Sequence, residues 1–167
     1  MMKKITTVAL ALAILLALGL PVLAVQGENV PAPNFAIKDL QGKAFSLAAY
    51  KGKVLVLNFW ATWCGPCRAE IPDFIEAYKE NKSRGLEILG ISVDRMTPET
   101  LLAFVDKAGI NYPIALADRK IVEDYEPGDY IPATIVIDGK GVIRLRHVGR
   151  IKKAALIKLF NELLAEK

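Results

Sequence analysis

Residues 53–70 read KVLVLNFWATWCGPCRAE, and this stretch decides the fold. Its first part, Lys53 to Trp60, is a continuous apolar run of strand length, which predicts a strand buried on both faces of a sheet. From Pro66 to Ser83 the apolar residues have helical spacing, so the buried strand leads directly into a helix. The segment from Cys64 to Cys67 lies at the junction between the two.

Strands and helices alternate through the rest of the chain. Further strands or short apolar segments are predicted at Leu86–Val93, Pro113–Ala117, Thr134–Asp138 and Val142–Val148, and helices at Thr97–Lys107, Arg119–Tyr125 and Lys152–Ala165. Near the start, Gln41-Gly42-Lys43 separates two short strand-like segments, which predicts a β-hairpin. A glycine turn at Gly139-Lys140-Gly141 joins the last two strands. This order predicts an α/β fold with a mixed central sheet covered by helices on both faces.

The first residues are typical of an export signal. Lys3 and Lys4 precede the stretch from Ile5 to Ala24, which contains no charge. Small residues near Ala24 favour cleavage there, whereas the length of the stretch approaches the roughly 20 residues that span a bilayer and would also suit a retained membrane anchor. Either way, the globular part is expected outside the cytoplasm.

Three segments are therefore predicted. Residues 1–24 form the signal peptide or anchor, residues 25–33 form a polar linker rich in proline and glycine, and residues 34–167 form the domain. The composition, with 53% hydrophobic and 24% charged residues, excludes a disordered chain. No run of basic residues longer than Lys152-Lys153 follows the leader, so a nucleic-acid partner is not expected.

The chain has two cysteines, and both lie in Cys64-Gly65-Pro66-Cys67. A disulfide between them would close a ring too small to remove much entropy from the unfolded chain, so it would be a poor structural crosslink. The helix start places backbone N–H groups and the positive end of the helix dipole at Cys64, which favours its thiolate. Pro66 suits the first helical turn. Cys67, one turn further, should be more buried and is the natural resolving thiol.

Two other interpretations of the cysteine pair remain open from the residues alone. One is a static disulfide of an exported protein. The other is a Cu(I) site, because two thiolates suit a soft ion, although two cysteines and one histidine are too few for structural zinc. The favoured expectation is a redox-active Cys64–Cys67 disulfide with no metal and no other cofactor.

Trp63 to Cys67, following VLVLNFW, resembles the active site of the thioredoxin superfamily. Residues 31–72 are similar to the opening of the TlpA/ResA-like (redoxin) thiol-disulfide oxidoreductases of bacterial envelopes, and IPATIVIDGKG with HVGRI resembles the close of that domain. The resemblance covers about Pro31 to Lys167. It implies a thioredoxin fold with an N-terminal β-hairpin and a central strand-helix insertion around Thr97 to Tyr112.

The resemblance also implies a substrate-binding site beside the cysteines. Pro132 corresponds to the cis-proline that faces the disulfide, where a cis bond turns a backbone edge toward the sulfurs and a substrate strand can pair. Ile131 belongs to the same edge. Trp63 is expected to shield the sulfurs and to offer an apolar contact to the partner, whereas Trp60 is expected in the core.

Proton handling is assigned to Glu70. It lies three residues beyond Cys67 on the same helix face and corresponds to an active-site glutamate of the ResA-like branch, so it is the expected proton acceptor. A solvated helix charge is the alternative. Asn58 occupies the position of a buried aspartate of thioredoxin and cannot titrate, and it would equally serve as a core amide. His147 is interpreted as structural.

The function expected from these features is that of an exported thiol-disulfide oxidoreductase. The resemblance implies that it works in a bacterium, in the periplasm or on the outer face of the cytoplasmic membrane. The Gly-Pro pair within the motif is the one found in thioredoxins, which favours reduction of envelope proteins, with apocytochrome c as the leading client. A membrane thiol-electron transporter is the implied donor. The alternatives are a dithiol oxidant or isomerase, and a non-catalytic or Cu(I)-delivering binding protein that uses the same sulfurs.

Overall fold

The computed structural model of the protein describes residues 29–166. The predicted leader at residues 1–24 lies outside the described residues. Within residues 29–166, no helix combines the length and the apolar character needed to cross a membrane.

The described residues form eight strands and four α-helices. The strands are β1 (Val30–Pro31), β2 (Ala36–Lys38), β3 (Ala44–Ser46), β4 (Val54–Trp60), β5 (Leu86–Ser92), β6 (Ile114–Leu116), β7 (Ala133–Ile137) and β8 (Val142–Val148). The helices are α1 (Gly65–Asn81), α2 (Pro98–Ala108), α3 (Arg119–Tyr125) and α4 (Lys153–Ala165). Each element predicted from the sequence is present, and the bounds differ by no more than a few residues.

Six strands form one mixed sheet in the order β1-β8-β7-β4-β5-β6. β4 runs parallel to β5, and β5 runs parallel to β6, whereas β7 and β8 are antiparallel to their neighbours. β2 and β3 form the separate N-terminal hairpin. The predicted α/β class, with its mixed sheet, its hairpin and the inserted α2 and β6, is confirmed, and the strand order is that of a thioredoxin fold.

The predicted linker at residues 25–33 differs from the structure at its C-terminal end. Val30 and Pro31 form β1 and pair with Ile143 and Val142 of β8 at the edge of the sheet. An edge strand tolerates proline because its missing N–H removes no ladder bond on the solvent side. A strand of two residues is too short to show an alternating pattern, so the sequence predicts a polar linker there.

The sheet separates two apolar cores. Along β4, Val54, Val56 and Trp60 pack on one face and Leu55, Leu57 and Phe59 on the other, following the two-residue period of a strand. The first face, called here the α1 face, also buries apolar residues of α1, α2 and α4. The opposite face is covered by α3 and the hairpin. The same two-residue alternation places Asn58 on the α1 face, so a polar side chain interrupts that core.

Helix α1 begins at Gly65, shortly after β4 ends at Trp60. Cys64 is its N-cap residue and Pro66 lies in its first turn. After a short 3₁₀ turn, Gly85 adopts a left-handed φ of 99°, which closes the connection to β5. The strand and helix on either side of Cys64 to Cys67 are therefore both held by the core.

Candidate active site

Cys64 and Cys67 are joined by a disulfide at the N-terminus of α1. The Cys67 N–H donates to Cys64 Sγ at 3.2 Å, so the first sulfur caps the helix. Cys64 is 6% exposed and Cys67 is fully buried, which confirms that the second cysteine is the more protected one. When the disulfide is reduced, the same N–H and the positive helix end stabilise a thiolate on Cys64.

The cis-proline loop lies against Cys64. The Ile131–Pro132 bond is cis, as the resemblance implies, and the Ile131 carbonyl oxygen lies 3.7 Å from Cys64 Sγ. The Pro132 carbonyl accepts a hydrogen bond from the Gly149 N–H at 2.8 Å, which ties the loop to the end of β8. The structure therefore brings Ile131 and Pro132, distant in the sequence from the motif, to the sulfur that is expected to attack.

One exposed aromatic side chain lies just before Cys64, and another lies just before Ile131. Trp63, next to Cys64, is 70% exposed, and Tyr130, next to Ile131, is 75% exposed. The exposure of Trp63 favours contact with a partner over shielding of the sulfurs. Trp60 is buried, as predicted. The sequence analysis missed Tyr130, whose only signal was its place two residues before Pro132.

Glu70 is buried beside the cysteines, and the alternative of a solvated helix charge is wrong. Its side chain is on the α1 face with 1% exposure. One carboxyl oxygen accepts a hydrogen bond from Asn58 Nδ2 at 2.9 Å, and the other accepts from the Ile151 N–H at 3.2 Å. Burial raises the pKa of Glu70 to about 7, although the bonds from Asn58 and Ile151 and the charge of Arg150 each oppose the rise.

Asn58 is buried, as a core amide would be, and it also contacts Glu70. Its Nδ2 donates to Glu70 and also lies 3.3 Å from Thr134 Oγ1 on the neighbouring strand β7. It is a hydrogen-bonded core amide and at the same time the partner of the buried carboxyl. Thr134 was not singled out from the sequence, because its contact depends on the register that pairs it with Asn58.

Asp94 holds the loop that leads into the motif. Its carboxylate is 8% exposed and accepts hydrogen bonds from the Thr62 N–H at 2.9 Å, the Thr62 hydroxyl at 2.8 Å and the Ser92 hydroxyl at 2.7 Å. These bonds tie the residues between β4 and Cys64 to the end of β5. The sequence analysis missed Asp94, because only the pairing of β4 with β5 brings it to Thr62.

Within residues 29–166, no group of three or more histidine, cysteine, aspartate or glutamate side chains is placed to hold a metal ion. The expected absence of a metal and of any other cofactor stays a prediction.

A cysteine pair at the start of a helix, where a thiolate is stabilised, is suited to exchange between thiols and disulfides. The protein is accordingly a thiol-disulfide oxidoreductase with a thioredoxin fold. The model of the AhpC/TSA family matches residues 29–146, and the chain belongs to this family.

Similar proteins agree with this assignment. Thiol-disulfide oxidoreductase ResA from Bacillus thuringiensis is 37% identical over 126 residues, which cover 75% of this chain and 72% of that protein. Thioredoxin-like protein YneN from Bacillus subtilis is 38% identical over 128 residues, covering 75% and 74%. The crystal structure of a thiol:disulfide interchange protein from Chlorobium tepidum is 34% identical with a TM-score of 0.75, covering 82% of this chain and 97% of that one.

Replacement of Asp94 is expected to release the loop before Cys64. In Asp94→Ala, the part-buried donors of Thr62 and the buried hydroxyl of Ser92 lose their acceptor, so the free energy of unfolding should fall by about 1–3 kcal/mol. Urea unfolding of the oxidised protein measures this change. Asp106→Ala, on the exposed side of α2, is the matched control and should leave the free energy within about 0.5 kcal/mol. Equal effects of the two variants would contradict the anchoring role.

Stability is expected to depend on pH through Glu70. Its pKa is about 7 in the folded protein against an ordinary 4.5, so between these values the folded protein binds more protons than the unfolded chain. The free energy of unfolding should therefore fall as pH rises across this window, by up to about 3 kcal/mol. Urea unfolding of the oxidised protein from about pH 4.5 to about pH 8 measures the slope.

Glu70→Gln should flatten this pH dependence, because glutamine does not titrate. Glu76→Gln, which removes an exposed carboxyl of the same helix that pairs with Lys153, should keep the slope of the unsubstituted protein. A slope that survives in Glu70→Gln would show that another group is responsible.

Proposed function

We propose that the protein is an extracytoplasmic reductase of protein disulfides, with apocytochrome c as its leading client. The observation that carries the proposal is that the two sulfurs have different surroundings. Cys64 is at the surface edge against the Ile131 carbonyl, and Cys67 is buried on the helix face that carries Glu70. Such a pair has one thiol for the substrate and one for resolution.

In the first step, the Cys64 thiolate attacks one sulfur of a substrate disulfide. A bond forms between Cys64 and that sulfur, the substrate disulfide breaks, and the other substrate sulfur leaves as a thiolate. The Cys67 N–H, which is 3.2 Å from Cys64 Sγ in the oxidised protein, stabilises the attacking thiolate. An extended substrate segment would dock along Ile131 and Pro132, with the exposed ring of Trp63 as its apolar contact.

In the second step, Cys67 resolves the mixed disulfide. Cys67 gives its proton to Glu70 and attacks Cys64 Sγ, so the Cys64–Cys67 disulfide closes and the second substrate thiolate leaves. A base with a pKa of about 7 suits this transfer, because it is partly ionised near neutral pH and still accepts a proton readily. Asn58 and the Ile151 N–H hold the carboxyl in place for the transfer.

The cycle needs two electrons to reopen the disulfide. Outside the cytoplasm these would come from a membrane thiol-electron transporter, whose thiolate attacks Cys64 Sγ, the less buried of the two sulfurs. The predicted export signal and the resemblance to TlpA/ResA-like proteins support an extracytoplasmic location and this electron donor. The resemblance also supports apocytochrome c as the client.

A dithiol isomerase or oxidant is the second candidate. A putative protein disulfide isomerase from Bacteroides thetaiotaomicron is 30% identical, with a TM-score of 0.73 over 83% of this chain and 90% of that one. The same sulfurs would serve that activity at a higher reduction potential.

The reduction potential of the Cys64–Cys67 pair separates these functions. Equilibration of the full chain in glutathione and dithiothreitol buffers measures it, and each ~30 mV changes the exchange constant tenfold. A reductant is expected near the thioredoxin value of about −270 mV, whereas a value near about −120 mV would make the protein an oxidant. A cysteine pair that does not exchange with these buffers would contradict the redox function and favour a static disulfide or a Cu(I) site.

The role of Glu70 is tested in the resolving step alone. The reduced protein is linked at Cys64 to glutathione, and the release of glutathione is followed as the Cys64–Cys67 bond closes. Glu70→Gln should slow closure about 10²-fold at neutral pH, because Cys67 lacks its proton acceptor. The loss should shrink above about pH 8.5, where a thiol ionises unaided.

Glu76→Gln serves again as the control on the same helix and should close at the unsubstituted rate. Identical pH profiles for Glu70→Gln and the unsubstituted protein would remove Glu70 from the mechanism.

A further inference from the structure

His147 lies on the same sheet face as the buried carboxyl of Glu70. It is paired with Thr134 in the ladder between β7 and β8, and Thr134 in turn contacts Asn58, the amide partner of Glu70. Residues directly opposite each other on neighbouring strands project to one face. The histidine is therefore close to the site, although the sequence separates it from the cysteines by most of the domain.

A single peptide unit connects His147 to Glu70. The imidazole Nε2 is 3.4 Å from the Arg150 carbonyl oxygen. Because that oxygen only accepts, a hydrogen bond between the two requires a proton on Nε2. The nitrogen of the same planar peptide is that of Ile151, whose N–H donates to the second carboxyl oxygen of Glu70 at 3.2 Å. The imidazole bonds to one end of this peptide and the carboxyl bonds to the other.

The turn that carries this peptide is held from several sides. Gly149 has a left-handed φ of 99°, which lets the chain reverse after β8, and its N–H bonds to the Pro132 carbonyl. The Arg150 guanidinium is 3.0 Å from Asp73 Oδ2 on α1. The turn from Gly149 to Ile151 thus contacts the cis-proline, α1 and the buried carboxyl.

We propose that His147 is a positioning residue for Glu70, and that the Arg150–Ile151 peptide couples the protonation of the imidazole to that of the carboxyl. This inference rests on the proposed function, because it concerns the group that takes the proton of Cys67. A hydrogen bond to a carbonyl oxygen polarises the peptide and strengthens its N–H as a donor, and a charged imidazole does so more than a neutral one. A stronger N–H favours the ionised carboxyl.

Other charged and titratable groups face the two partners. Glu70 is faced by Asp73 on α1, Arg150 in the turn and Tyr112 after α2, and burial together with the charge of Glu70 raises the pKa of Tyr112. His147 shares a surface cleft of about 600 Å³ between β8 and α4 with Arg144, Lys158 and Glu162. The test therefore changes one partner of the peptide at a time and compares it with a neighbouring residue.

The first measurement uses the fact that the chain has one histidine. Its imidazole signals are followed by NMR across pH in the full, reduced chain. Coupling is reciprocal, so Glu70→Gln, which removes the negative charge, should lower the pH midpoint of the imidazole by roughly half a pH unit. Glu76→Gln should leave it unchanged. An imidazole midpoint that is the same in Glu70→Gln and the unsubstituted protein would overturn the inference.

The second measurement follows Glu70 from the histidine side. Carboxyl titration is observed by isotope-edited infrared spectroscopy in His147→Phe, which has no donor, and in His147→Gln, which supplies an N–H but no charge. His147→Phe should raise the Glu70 midpoint by about half a pH unit, and His147→Gln should restore part of the shift. Val148→Thr alters the exposed neighbour and should not move the midpoint. Equal midpoints in all three variants would overturn the coupling.

The closure rate of the glutathione-linked protein separates this inference from the proposed function. If Glu70→Gln slows closure but leaves the imidazole midpoint in place, the coupling is absent and the proposed mechanism stands. If the midpoint moves but closure is unaffected, the coupling is present and Glu70 does not act as the base.

Discussion

The contact between the Cys67 N–H and Cys64 Sγ is the interaction around which the site is arranged. It makes the first sulfur the cap of α1, so the start of the helix and the position of the proposed nucleophile are set together. β4 ends four residues before Cys64 and is buried along its whole length, which leaves the junction little freedom to move. The positive end of the helix then acts on a sulfur whose place is already defined.

The rest of the site consists of restraints on that junction. Asp94 holds the loop on its upstream side, and the loop of Ile131 and Pro132 closes over its outer side. Each restraint comes from a different part of the chain. A thiol exchange site suits such construction, because the attacking thiolate must lie in line with the disulfide bond that it breaks. A small displacement of Cys64 would spoil that alignment.

Burial gives Glu70 its chemical character. A carboxyl on the exposed side of the same helix, such as Glu76, forms only a surface ion pair, whereas Glu70 loses its contact with water and keeps two hydrogen bonds in exchange. The loss of hydration outweighs those two bonds, and its pKa rises to about 7. The same group therefore lowers stability when it is ionised, and the ionised form is the one that the proposed mechanism uses as a proton acceptor. In that mechanism, function and stability are opposed at this one residue.

Much of the fold and part of the site follow from local patterns. The apolar run of β4, the helical spacing of α1, the hairpin turns and the dithiol motif depend on residues close together in the sequence, so periodicity and neighbouring residue types are sufficient to predict them. The cis-proline and Glu70 were predicted from a family resemblance carried by motifs of this kind. The edge strand β1 escaped prediction because two residues form no pattern.

By itself, the sequence determined the class of fold, the two reactive sulfurs and which of them is more buried. The tertiary structure alone decided that Glu70 is enclosed rather than solvated, that Asp94 holds the loop before the motif, and that one peptide lies between His147 and the carboxyl. The Asp94 bond joins residues 32 positions apart and the Glu70–Ile151 bond joins residues 81 apart. Contacts of this kind arise from sheet register and helix packing, which bring together residues that no local pattern relates.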